Sequence, residues 1–217
     1  MKRRDFFAGS AGLTAGVLAF SVPPVLAQVA LPKPGVDFVR LRRPAPVLAA
    51  AGRVEVVEFF MYSCGHCHAF EPALARWAKN VPKHVMLRRV PVAFRKDLIV
   101  HQQLYYALES MGLVGQLHAK VFHALHTERL PLQSKDAVVD WVGKQGVDKA
   151  KFLTHFTSFD VASKTRGANA LMDAYQVEGV PALGVAGRYW TDASLAQSEE
   201  RMLWIVDYLV AEVRAGR

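Results

Sequence analysis

The 217-residue chain has only two cysteines, and they stand together in Cys64-Gly65-His66-Cys67, where an apolar run hands over to a helical pattern. The run Val54-Glu55-Val56-Val57-Glu58-Phe59-Phe60-Met61 is rich in β-branched and aromatic residues, as expected of a strand covered on both faces. From Cys64 the period changes. Phe70, Leu74, Trp77 and Ala78 recur at steps of three and four, which predicts a helix that begins at the cysteines. Free N–H groups and the positive dipole end at such a start stabilise a thiolate on Cys64, lowering its pKa below the usual ~8.5. Cys67 follows one turn later, within reach to resolve a mixed disulfide. His66 between them can donate to the thiolate, or attract it as imidazolium, which favours the reduced form and makes the disulfide a stronger oxidant. The spacing therefore predicts dithiol/disulfide exchange.

Three other readings of the motif are open to the same residues. A structural bridge closing so short a loop removes little chain entropy, and stapled scaffolds carry several bridges. A tetrahedral zinc site wants four ligands, and His66 and His68 lie too near in sequence to complete one with both cysteines, so no metal is expected. Cys64-Gly65-His66-Cys67-His68 also satisfies C-x-x-C-H, the attachment signature of a c-type haem electron carrier. An apolar strand running straight into the motif speaks for exchange chemistry and against haem, and no cofactor is expected.

Residues 1–27 read as a cleaved export signal. Lys2-Arg3-Arg4 is a positive start, Ala8 to Val22 an apolar stretch, and Val25-Leu26-Ala27 a small-residue cleavage site. The alternative is an uncleaved anchor, for which the stretch is short and glycine-rich. Arg3-Arg4 followed by Asp5-Phe6-Phe7 loosely matches a twin-arginine signal, and the ordinary secretory route fits as well. Past residue 27 the chain carries 24 basic against 18 acidic residues, with 52% hydrophobic and 21% charged residues overall, an ordinary globular composition. The basic excess is scattered over Arg40, Arg42, Arg43, Arg88, Arg89, Arg95 and Lys96, without a phosphate loop or stacking aromatics. It reads as a solvated face, and nucleic acid is not an expected partner.

Residues 28–52 hold Pro32, Pro34, Pro44 and Pro46, a linker-like lead-in with a short edge strand at Phe38 to Leu41. Val85 to Val92 reads as a second strand. From about Asp97 to about Tyr175 helical periodicity is almost continuous, punctuated by Gly112, Pro131, Gly143 and Gly146 into four or five helices, one of them capped by Ser134. Strand character returns at Ala182 to Trp190, with a hairpin turn at Ala186-Gly187, and a last helix opens at Ser198. The histidines outside the motif read as core or surface residues rather than ligands. The fold class is α/β: a thioredoxin fold, with a mixed central sheet and flanking helices, over 28–97 and 170–217, interrupted by an all-helical insertion over 98–169.

Glu58-Phe59-Phe60 running into Cys64-Gly65-His66-Cys67, the helical block, and Val177-Glu178-Gly179-Val180-Pro181-Ala182 before the hairpin together resemble the DsbA family, periplasmic thiol:disulfide oxidoreductases of Gram-negative bacteria. The likeness covers nearly all of residues 36–217. It implies a protein disulfide oxidoreductase that introduces disulfides into exported proteins in the periplasm. Its expected partners are reduced exported substrates and a quinone-linked membrane oxidase of the DsbB type, and a monomer is expected.

The resemblance also implies roles for single residues. Cys64 and Cys67 form the redox-active disulfide, and the bond before Pro181 is cis and lies beside it. Val180, Pro181 and Gly65 border the substrate, the backbone before Pro181 pairing with an extended peptide. Glu58 is the buried acid that moves protons to and from Cys67, since burial raises a carboxyl pKa. Leu87 falls where the family has a basic partner for this acid, with Arg88 and Arg89 beside it. Gly65-His66, with Glu71-Pro72 after the motif, is also how the catalytic domains of protein disulfide isomerase read. Isomerase or reductase activity on the same fold is therefore the alternative, although isomerases of this compartment usually need a dimerisation module or tandem domains. Pro72 is expected to kink the helix.

Overall fold

The run from Val54 forms strand β2 (Val54–Phe60), every residue of which is buried, so both of its faces must be covered. The computed structural model describes residues 30–217, and the export signal expected over 1–27 lies outside them. Within the described residues β2 is an inner strand, between β4 and the edge strand β3, of a five-stranded mixed sheet of order β1-β5-β4-β2-β3. The others are β1 (Val39–Arg40), β3 (Val85–Pro91), β4 (Ala182–Val185) and β5 (Tyr189–Asp192). Only β2 and β3 run parallel, joined by helix α1 (Gly65–Asn80), while the other pairs are antiparallel. The β4–β5 turn uses Ala186 and Gly187 at φ 53 and 66, the left-handed region that a two-to-three-residue hairpin requires.

Alternation along β2 assigns its faces. Val54 and Val56 pack with Phe70 and Leu74 of α1 and with Met202, Ile205 and Leu209 of the last helix, α8 (Glu199–Arg214), whose N-cap is Ser198. Val57 and Phe59 belong to the second core, which extends into the helical block. That block comprises α2 (Ile99–Ser110), α3 (Val114–His126), α4 (Lys135–Lys144), α5 (Lys149–Phe156) and α6 (Phe159–Tyr175). Ser134 caps α4 through the Ala137 N–H, while Asp148 and Ser158 cap α5 and α6 in the same way. α6 passes without a break through residues 169 and 170, so the C-terminal end of the inserted block is part of one helix with the chain that returns to the sheet. A short helix, α7 (Ala193–Ala196), which periodicity is too brief to reveal, follows β5. No helix among the described residues is long and apolar enough to cross a membrane.

Candidate active site

Cys64 is the N-cap of α1. Its backbone is extended (φ −86, ψ 118), and its sulfur accepts a hydrogen bond from the Cys67 N–H at 3.3 Å, the place a serine or aspartate oxygen takes in an ordinary cap. The first turn of α1 contains no acid, so nothing there offsets the positive end of the helix dipole. Both thiols are free. The Cys64 thiol is half-buried and lowered to about 6. The hydrogen bond from the Cys67 side chain is the main cause; burial opposes it, and the backbone N–H groups of Cys67 and His66 and the His66 charge add to it. Cys67 is pushed far up by its bond to Cys64 and by burial, with a smaller contribution from the Glu58 charge. One sulfur is thus prepared as thiolate and the other kept as thiol.

Four of the other predicted residues gather round that sulfur. The Cys64 S–H donates to the Val180 carbonyl at 3.4 Å, and the Val180–Pro181 peptide bond is cis. His66, Val180 and Pro181 line a cleft of about 320 Å³ together with Gly179, Asp192 and Ser194. Gly65 and His66 are exposed, and a Cβ at Gly65 would meet nothing within 4 Å, so the approach to Cys64 is open. Pro72 stays inside α1, which runs unbroken to Asn80, and it leaves the His68 carbonyl without a helical donor.

Glu58 lies below this surface, completely buried. Its partner is not at Leu87, which pairs with Val56 in the parallel register. The register sets Glu58 beside Arg89, and Arg89 Nε stands 3.1 Å from Glu58 Oε2. Arg88 and Arg89, two of the arginines expected on a solvated face, are therefore drawn against the sheet, Arg88 pairing with buried Glu55 on the other side at 3.7 Å. Arg89 is shared, since its Nη2 also donates to Glu71 Oε1 at 2.7 Å. Burial raises Glu58 to about 8 against the pull of Arg89, and the nearby Glu71 charge adds to the rise. Glu71 feels burial too, but His118 and Arg89 together more than offset it and hold this carboxyl below its ordinary value.

Sequence reasoning assigned no role to Arg89, Glu71 or His118. Glu71 could have been found: Cys67, Phe70, Glu71 and Leu74 are the buried positions of α1, so an acid stands on the apolar stripe. Among the described residues no group of three or more His, Cys, Asp or Glu side chains is arranged to hold a metal ion.

A family model described as a DSBA-like thioredoxin domain matches residues 55–202. The chain is 42% identical over 179 residues to the thiol:disulfide interchange protein DsbA of Bordetella pertussis, covering 82% of this chain and 85% of that one. It is 37% identical over 205 residues to the protein of the same name from Burkholderia cepacia, covering 94% and 93%. Among solved structures, Pseudomonas aeruginosa DsbA superposes with a TM-score of 0.80 at 40% identity, over 84% of this chain and 94% of that one. The oxidoreductase DsbA of Xylella fastidiosa gives 0.80 at 30% identity, over 86% and 100%.

Proposed function

The chain belongs to the DsbA family and is a thiol:disulfide oxidoreductase that forms disulfide bonds, and from that premise we propose how its residues divide the work. Cys64 is the sulfur that substrates attack and Cys67 the one that leaves. In the oxidised protein a substrate thiolate bonds to Cys64 Sγ as the Cys64–Cys67 bond breaks, and Cys67 departs as a thiolate that takes up a proton. A second substrate thiolate then attacks the substrate sulfur of the mixed disulfide and releases Cys64 as thiolate. The substrate loses two electrons and gains a disulfide; the protein gains the electrons as a dithiol.

The observation that carries this reading is the division between the two sulfurs, with Cys64 capping α1 and lowered to about 6 while its neighbour is raised. A low-pKa thiol is the better leaving group, so release of Cys64 drives the second exchange. Glu58, held mostly protonated by burial, supplies the proton that Cys67 takes and recovers it when Cys67 is next ionised. Val180 and Pro181 border the substrate. The Val180 carbonyl offers an acceptor beside the sulfur and Pro181 presents no N–H of its own there, which suits an extended peptide. His66 and Gly65 complete that edge.

The substrates are exported proteins, the compartment is the periplasm, and residues 1–27 direct export by the secretory or twin-arginine route. Reoxidation falls to a quinone-linked membrane oxidase of the DsbB type that docks over Cys64 and Pro181.

The test is to mix oxidised protein with a reduced, unfolded substrate carrying two cysteines. One substrate disulfide should form per protein dithiol produced, and Cys64→Ser and Cys67→Ala, neither of which can hold the Cys64–Cys67 disulfide, should both abolish the transfer. Equilibration with glutathione distinguishes an oxidant from an isomerase or reductant: a protein resting mainly as the disulfide in mildly reducing glutathione would rule out the oxidant role.

A further inference from the structure

One face of α3 grips the chain on both sides of the redox motif. His118, Phe122 and His126 recur every fourth residue and so lie along a single stripe. Each touches a residue that flanks the cysteines. Tyr62, two residues before Cys64, bonds through its hydroxyl to His118 Nδ1 at 2.8 Å, and its carbonyl lies 2.8 Å from His126 Nε2. His68, directly after Cys67, has its ring stacked on that of His126, centroids 4.8 Å apart and planes 8° apart, and also faces Phe122. Glu71, four residues after Cys67, has Oε2 3.3 Å from His118 Nε2.

His118 is an unusual occupant of its place. It is buried, and its ring is surrounded by those of Phe60, Tyr62, Tyr105 and Phe122 at centroid distances of 5.2 to 5.9 Å. An apolar side chain would fill such an enclosure without the desolvation that an imidazole suffers. The tautomer that suits both neighbours has the Tyr62 O–H donating to Nδ1 and Nε2–H directed at Glu71, so the ring ties the segment before the motif to the helix after it.

We propose that His118 and His126 are positioning residues of the redox motif, fixing Tyr62, His68 and Glu71 and through them setting how strongly the helix start holds the Cys64 thiolate. The electrostatic route runs through Arg89, which Glu58 and Glu71 share. With His118 Nε2–H directed at Glu71, less of the Arg89 charge is committed there and more remains for Glu58. Without His118, Glu71 draws harder on Arg89, the negative charge beneath the motif is less compensated, and a thiolate above it is disfavoured. The steric route runs through Tyr62: its carbonyl is held by His126, and the next turn of chain places the Cys64 N–H on the Met61 carbonyl at 3.1 Å.

This inference rests on Cys64 being the reactive thiol. The experiment therefore follows thiolate absorbance against pH in the reduced, full-length mature protein, together with thermal stability and the glutathione equilibrium. His118→Phe should raise the Cys64 midpoint and move the equilibrium towards the protein disulfide by about threefold or more, the factor that half a pH unit represents. His118→Gln, which keeps a donor towards Glu71, should recover part of that change, and His126→Gln should shift the midpoint in the same direction by less. Phe152→Leu, in the core of α5 away from the motif, is the control: it should lower thermal stability and leave the midpoint where it was. If the histidine variants lose stability as the control does yet titrate like the wild type, the positioning role is overturned. Should His118→Phe not fold, the two glutamine variants decide the question by the same readout. A wild-type protein lacking any low-pH thiolate step would sink the assignment of Cys64 itself, a result distinct from unmoved variants in a normally titrating protein.

Discussion

The β2–β3 pair carries an acid and an arginine on each of its faces, and the two couples are built differently. On the face away from α1, Glu55 accepts the Leu48 N–H at 3.1 Å and has Arg88 at 3.7 Å, an arginine that no other acid among the described residues shares. On the face towards α1, Glu58 has no hydrogen-bond donor of its own among the described residues, and its arginine, Arg89 at 3.1 Å, is also claimed by Glu71. Both carboxylates are fully withdrawn from water. Burial is common to both; what differs is the donor and the cation that each is given. An acid with its own donor and an unshared arginine is suited to anchoring a loop, here the segment around Leu48. Glu58 is held protonated by burial, with the charge of the second carboxylate that shares its arginine adding to the effect, and that makes it useful beneath a thiol that has to gain and lose a proton.

The largest effect that can break this contrast comes from the arginines. Arg89→Leu leaves Glu58 and Glu71 buried with no cation between them and is expected to destabilise the folded protein by about 3 to 5 kcal/mol, as when one partner of a buried pair is removed. Arg88→Leu should destabilise it by at most about 2 kcal/mol, because Arg88 is partly exposed, its pair is longer and Glu55 keeps the Leu48 donor. Urea denaturation of the two variants at neutral pH compares them directly. Equal losses would mean that sharing of the cation is irrelevant.

Glu58→Gln sharpens the contrast through pH. In the folded protein Glu58 keeps its proton up to about 8, whereas unfolding returns it to the ordinary carboxylate range. A raised folded pKa favours the folded state fully below the ordinary value, and this advantage disappears as pH rises through about 8. The wild type should therefore lose stability relative to Glu58→Gln between about pH 4.5 and 8, at no more than about 1.4 kcal/mol per pH unit, with the difference level above that window. Thermal midpoints of both proteins in the oxidised form, where no thiol titrates, supply the measurement. A variant whose difference from wild type is flat across the window would show that Glu58 is ionised throughout.

How much of this was legible before the structure depended on the range of each interaction. The β2 strand, the cysteines at the start of α1, the hairpin at Ala186-Gly187 and the caps at Ser134 and Ser198 are local, and the sequence pattern carries them. The partner of Glu58 is not local. Leu87, Arg88 and Arg89 are adjacent, and which of them faces Glu58 depends on the β2–β3 register, where a slip of one residue exchanges the faces and a slip of two exchanges Leu87 for Arg89. His118 was hidden for a different reason. Leu117, Val121 and Phe122 mark the buried face of α3, and a histidine beside them reads as the edge of that face until Glu71 and Tyr62 are brought against it from two other segments.

The smallest effect is expected at Glu55, and it tests whether the anchoring face is independent of the thiol chemistry. Glu55→Gln keeps an oxygen that can accept the Leu48 N–H while giving up the charge and with it the Arg88 pair. Losing that attraction and escaping the desolvation of a buried carboxylate oppose one another, so stability at neutral pH should change by less than about 1 kcal/mol. Glu55→Leu removes the acceptor as well, and the Leu48 amide, protected by a single hydrogen bond, should then exchange with solvent faster than in the glutamine variant. Hydrogen exchange at Leu48 in the two variants reads this directly. The rate of disulfide transfer to a reduced substrate should match the wild type in both, since Glu55 and Arg88 lie on the face of the sheet turned away from α1 and its cysteines. A transfer rate that fell in Glu55→Gln while the Leu48 amide stayed protected would mean that charge on the far face reaches the thiols through the sheet, and the distinction between an anchoring acid and a proton-holding acid would have to be abandoned.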